Sequence, residues 1–187
     1  MGLGEFRVNR IPSHRLQRGV SLIEVLVAVL IFTIGLVGLG GLLITATRAN
    51  TTAYIRTQVT FLASNMADRM RANPVGLWNA NYDSNSYPIS GKTVPTCDAT
   101  TGCTPANVAL RDQLLWSQQL TAALPAVGTT SIKCVKAAND PTAQYAMRPP
   151  YSGTCTMSIT WAERGFAGGD DRVDSGNLQS FTWVFEP

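Results

Sequence analysis

Apolar residues run almost without a break from Val20 to Ala46, and Glu24 is the one charged residue among them. A membrane-crossing helix needs ~20 apolar residues, whereas the apolar region of a secretory signal is about 7–15 long. The run therefore predicts a membrane helix. Past Arg48 the pattern becomes one-sided: Ile55, Val59, Leu62, Met66 and Met70 recur at spacings of four and three, with Arg56, Asp68, Arg69 and Arg71 off that stripe. Asn73-Pro74 closes the pattern, because a residue before proline avoids helical geometry. One helix is expected from Ser21 to about Ala72. Its second half should be half-buried against a soluble domain.

Residues 75–104 are rich in Asn, Ser, Tyr, Gly and Pro and read as a long irregular connection. Thr104-Pro105 then offers an N-cap followed by proline at the first helical position. Leu110, Leu114, Trp116, Leu120 and Leu124 share one arc at the helical period, and Pro125 ends the segment. This second helix should pack beside the first. From Ser131 the period becomes two. Ile132 and Cys134 alternate with Ser131 and Lys133, and Cys155, Met157, Ile159 and Trp161 alternate with small hydroxyl residues. Phe181, Trp183 and Phe185 give a third strand. One-sided alternation marks an antiparallel sheet covered on one face. The expected class is α+β: a long helix, a second helix and a carboxyl-terminal sheet.

Charge changes the picture only once it is divided at Gly19. The net +3 resides in residues 1–19, where Arg7, Arg10, Arg15 and Arg18 oppose Glu5. Removing these from the chain's 15 basic and 12 acidic side chains leaves eleven of each beyond Gly19. Positive flanks of membrane helices stay in the cytoplasm, so the amino end is assigned there. The balanced remainder has no electrostatic footprint for nucleic acid.

Cys97, Cys103, Cys134 and Cys155 all follow the apolar run, and so reach an oxidising compartment. Four cysteines allow three pairings. Cys97 and Cys103 bracket a short polar loop, most simply as a local bridge. Cys134 and Cys155 both fall on inward strand faces, which favours a bridge between strands. Zinc is disfavoured: there is no CxxC pair, and the single histidine, His14, precedes the membrane run. Gly168 to Asp174 invites a calcium reading, but its spacing does not match the EF-hand loop, so a solvated loop between strands is expected.

No histidine follows Gly19, which removes the usual serine and cysteine triads, and no phosphate loop or GxSxG elbow appears. No catalysis and no cofactor are expected. The unusual residues lie in the helix instead. Ser21-Leu22-Ile23-Glu24 fits the capping box, in which hydroxyl and carboxylate satisfy free backbone donors. That alone does not explain an acid at a lipid-facing position, which is costly. Gly35, Gly38, Gly40 and Gly41 each weaken a helix by about 1 kcal/mol relative to alanine. Close helix packing and a segment meant to loosen both imply neighbours.

Gly19-Val20-Ser21-Leu22-Ile23-Glu24-Val25-Leu26-Val27-Ala28 closely resembles the class III signal of type IV pilins and pseudopilins. The resemblance implies a cytoplasmic leader, residues 1–19, removed by the prepilin peptidase after Gly19, with N-methylation of Val20. It further implies that residues 20–46 form the transmembrane and polymerisation helix, that 47–187 form a periplasmic pilin head, and that Glu24 is the charge partner of an adjacent subunit's amino terminus. Within the family the chain is similar to the PilV-type minor pilins, through the Ser21 to Ala28 opening, the Ile34 to Leu39 run, and Cys97-x5-Cys103-Thr104-Pro105 leading into a Trp-containing helix. Val20 replaces the phenylalanine usual in major pilins, and Gly41 stands where these often carry proline. The leader is also long for the group. The partners so implied are the prepilin peptidase/methyltransferase, other minor pilins and the major pilin, and the inner-membrane assembly platform. The implied location is the bacterial inner membrane before assembly, then the pilus.

Three other readings compete. A type II secretion pseudopilin shares the signal and helix. A single-pass anchor carrying a periplasmic enzyme or binding domain predicts that Gly19 is never cut. A general secretory signal predicts cleavage near Ala46.

Overall fold

The computed structural model describes residues 19–97, 102–164 and 173–187. Residues 1–18 of the expected leader, and 168–172 of the glycine-rich loop, lie outside the described residues. Helix α1 spans Leu22–Ala72, α2 Pro74–Trp78 and α3 Pro105–Ala123; strands β1 to β4 cover Ser84–Tyr87, Thr130–Lys136, Gly153–Arg164 and Val173–Phe185. A 3-10 helix at Thr142–Met147 lies between β2 and β3. The chain divides into two compact units, Met1–Thr47 and Arg48–Pro187.

In the first unit the described residues are Gly19, Val20 and Ser21 and the beginning of α1. Its most apolar window has a mean hydropathy of 2.7, and none of it is buried. Thr33, Thr45 and Thr47 turn their hydroxyls onto carbonyls of the preceding turn, those of Leu30, Leu42 and Leu43. A hydroxyl satisfied in this way can enter an apolar medium without leaving a donor unpaired. A Cβ added at Gly35, Gly38, Gly40 or Gly41 would touch nothing within 4 Å. The glycine cluster is therefore not required by packing among the described residues.

The second unit is an α+β domain of pilin-like architecture, built on the rest of α1. Val59, Leu62, Ala63, Met66, Ala67 and Met70 are its buried face, and Ile55 packs at the margin. Helix α3 starts where expected, with the Thr104 hydroxyl accepting from Asn107 N at 3.2 Å and Pro105 at the first position. It lies against α1: the Trp116 indole Nε1 donates to the Leu62 carbonyl at 2.9 Å, and Arg69 meets Asp112 at 3.2 Å. The buried face of α3 includes Gln113 and Ser117, while Leu110 is only half-buried. Gln113 Nε2 donates to the Asn81 carbonyl and the Tyr87 hydroxyl, and Ser117 Oγ accepts from Ile89 N. These polar side chains belong to the core because the connection between α1 and α3 supplies their partners.

That connection is more ordered than its composition predicts. It carries α2 and β1, and β1 becomes an edge of a four-stranded antiparallel sheet in the order β1-β2-β3-β4. Three strands were expected; the fourth is the polar segment Ser84 to Tyr87. The last strand also starts earlier than expected, so Val173 and Asp174 belong to β4 and not to the loop. Cys155, Met157, Ile159 and Trp161 are all buried, and their alternates are exposed or half-buried. Gly153 opens β3 with φ at +145°, and a Cβ there would collide with the Val135 carbonyl. The close passage of β2 and β3 thus requires glycine at this turn.

A knot of polar groups secures the end of α1. Asn73 Nδ2 donates to the Tyr82 hydroxyl and the Pro105 carbonyl, and Asn73 Oδ1 accepts from Gly76 N. The Tyr82 hydroxyl donates to Asp112 Oδ2 at 2.8 Å, while Arg69 holds Oδ1 of the same carboxylate. Gly76 has no room for a side chain, since its Cβ would overlap the Asn73 amide. The sequence's helix-ending Asn73-Pro74 pair is thereby joined to α2, α3 and the loop that follows.

Candidate functional site

The helix begins one residue after Ser21. Ser21 O accepts from Glu24 N at 3.0 Å and Val25 N at 3.3 Å, so backbone bonds alone start the first turn. Among the described residues no hydrogen bond joins the Ser21 hydroxyl or the Glu24 carboxylate to a backbone amide. The reciprocal side-chain bonds of a capping box are not made. Gly19 and Val20 precede the helix, and Val20 is 71 % exposed.

Glu24 sits in the first turn, where the positive end of the helix dipole favours an acid. Its surroundings on the helix surface are apolar: Val20, Val25, Ala28, Val29 and Phe32. Among the described residues no cation approaches the carboxylate within ion-pair distance. A charge set among valines and phenylalanine, without a partner among the described residues, is suited to a positive group brought by another molecule.

The other candidate residues are in the second unit. Cys134 and Cys155 are register partners on β2 and β3, joined by a disulfide whose cysteines are almost fully buried. Cys97 and Cys103 form the second bridge, just ahead of the Thr104 cap. Both bridges are remote in sequence from Gly19, Val20 and Glu24 and contribute to the head alone. Among the described residues no group of three or more His, Cys, Asp or Glu side chains could hold a metal.

The displaced titrations in the head trace to burial and hydrogen bonding. Desolvation drives the Tyr82 and Tyr87 hydroxyls well above the ordinary tyrosine range. Asp140, at the surface, is held below the usual carboxylate range first by the hydrogen bond from Lys136 and then by that from Tyr145. This small cluster escaped sequence reasoning because the 3-10 helix that brings Tyr145 to Asp140 carries no periodic signal.

Residues 14–40 match a described family motif, the prokaryotic N-terminal methylation motif. The chain carries this methylation motif. The match spans Gly19, Val20 and Glu24 together with most of the apolar run, and it supports a place in the type IV pilin or pseudopilin group. The motif implies processing by the prepilin peptidase in a pilus-assembly context, and with the apolar helix it points to membrane anchoring before assembly. Proteins that carry this motif are typically structural and non-catalytic. No curated protein and no solved structure matches the chain.

Proposed function

We propose that this protein is a minor pilin of the type IV pilus, similar to the PilV-type pilus modification proteins, that takes part in fibre assembly and hence in twitching motility or adhesion. The observation that carries the reading is the methylation motif at the head of a helix whose apolar half has no buried residue. Cleavage after Gly19 frees the amino group of Val20, which is then methylated. Glu24 is the carboxylate that receives such a terminus from a neighbour. In the membrane the leader side faces the cytoplasm and the head, residues 47–187, faces the periplasm. The partners are the prepilin peptidase/methyltransferase, the other minor pilins, the major pilin and the assembly platform of the inner membrane.

Removing one partner of a buried ion pair costs about 3–5 kcal/mol. Such a penalty at Glu24 would act on incorporation and not on processing. The test is deletion of the gene with complementation by the full chain. Loss of twitching and of surface fibres, with secretion intact, supports the pilus reading. Loss of secretion with normal fibres supports the second reading, a type II secretion pseudopilin, which the shared motif equally allows.

A further inference from the structure

The sheet ends differently at its two edges. β1 is four residues long, its register against β2 is irregular, and Pro88 follows it at once. Shortness, irregular pairing and proline are features by which natural sheets keep an edge from recruiting another chain. The stretch of β4 from Leu178 to Phe185 has none of them. It contains no charged residue, no proline and no glycine, and its register against β3 is unbroken from Leu178 opposite Ala162 to Phe185 opposite Cys155. Among the described residues no strand lies on its other side.

The backbone groups on that free side can be named. On the β2 side of β3, the Thr160 carbonyl accepts from Gly128 N at 2.8 Å and Ala162 N donates to the Ala126 carbonyl at 2.9 Å. Backbone groups of successive residues in a strand point to alternate sides, so Met157, Ile159 and Trp161 direct theirs to β4. Their partners Trp183, Phe181 and Gln179 return those bonds. The amides and carbonyls of Leu178, Ser180, Thr182 and Val184 are therefore the ones that face away from the sheet. Such a row is matched by the backbone of an extended peptide and by no other element.

The side chains along the edge specify what that peptide carries. Met157 and Ile159 on β3 are fully buried, whereas Phe181 and Trp183 beside them on the inward face are half-buried. The core is open along this flank. A further strand with an apolar residue at every second position would cover the two rings, and its alternate residues would lie beside Ser180 and Thr182 on the outer face. A charged strand would lose hydration there without gaining an opposite charge, because Leu178 to Phe185 offers none. We propose that the free edge of β4 takes up an extended, uncharged segment of a second protein, with apolar side chains at alternate positions. The proposal goes beyond the fibre reading and applies to a pilus and a secretion system alike.

Its test uses the full chain expressed in its own cells with a photo-crosslinking amino acid at position 182, and at position 156 in the middle of the sheet as control. Crosslinked peptides are identified by mass spectrometry. The expected result is a crosslink from position 182, several-fold stronger than from 156, to one contiguous segment of another protein with the stated pattern. Ser180→Pro removes an outward N–H and leaves the β3 ladder whole, so it should abolish the crosslink while thermal unfolding stays as in the wild type. Val184→Lys, which sets a charge on the same edge without altering the backbone, should do the same. No crosslink, equal crosslinking from both positions, crosslinks to lipid or to a second copy of this chain alone, or a crosslink that survives Val184→Lys would overturn the proposal. None of these outcomes bears on cleavage after Gly19, which the mature mass reads separately.

Discussion

Helix α1 is one continuous element that follows two different rules. Up to Thr47 it has no buried residue, and its hydroxyls are satisfied by its own carbonyls. From Val59 to Met70 it buries six residues, accepts the Trp116 indole N–H at the Leu62 carbonyl and ends in the Asn73 knot. The second part is stabilised by this chain. The first can be stabilised only by a lipid or by other chains, since exposed apolar surface of this extent is unfavourable in water. The lesson concerns where a substitution should be felt: in the second part it should alter folding of the head, in the first it should alter membrane and assembly behaviour alone.

The sharpest break in that comparison is Gly19→Ala, which is expected to abolish maturation while leaving the head folded; a mature product of unchanged mass from this variant would refute it. Next is Glu24→Ala. It should be processed normally yet be lost several-fold from the pilus fraction, as measured by immunoblotting of sheared fibres, and wild-type amounts there would count against the charge pairing.

Met66→Ala and Leu36→Ala set the two parts of the helix directly against each other. Met66 is fully buried, and truncation of such a residue costs about 2–5 kcal/mol. Leu36 is 51 % exposed, and its truncation should leave head unfolding within about 0.5 kcal/mol of wild type. Chemical denaturation of the detergent-solubilised chain reads both. Equal effects would erase the distinction.

The smallest effect concerns alkali. Tyr82 and Tyr87 have folded pKa values raised above the ordinary value near 10 by burial. Below pH 10 both folded and unfolded chains keep these protons, and stability is unaffected by them. Above it the unfolded chain releases them first, so stability falls as pH rises. Thermal unfolding followed from pH 9 to 11 should show this decline, shallower in Tyr87→Phe. A flat profile in the wild type would contradict the burial argument.

Much of this division could be read before any coordinates. The apolar run, the stripe from Ile55 to Met70 and the stops at Pro74 and Pro125 are local signals, and so is the alternation from Cys155 to Trp161. Each depends on neighbouring residues only. What escaped was set by distant partners. Ser84 to Tyr87 is polar and short, and becomes a strand because β2 offers an edge. Gln113 and Ser117 look like surface residues until Asn81, Tyr87 and Ile89 arrive from the loop to bond them. The methylation motif that spans Gly19, Val20 and Glu24 was legible because it is contiguous. The capping box of Ser21 and Glu24 was equally legible, but among the described residues its side-chain bonds are not made, and Ser21 O accepts from Glu24 N and Val25 N instead.

The central claim is that the apolar half of α1 is exposed for the sake of other chains, and that a free amino end at Val20 is its counterpart to Glu24. Intact mass and terminal sequencing of the membrane-extracted protein test it most directly. The account predicts a chain beginning at Val20 with a methylated amino group. A product that still carries residues 1–19, or one cut near Ala46, would contradict it.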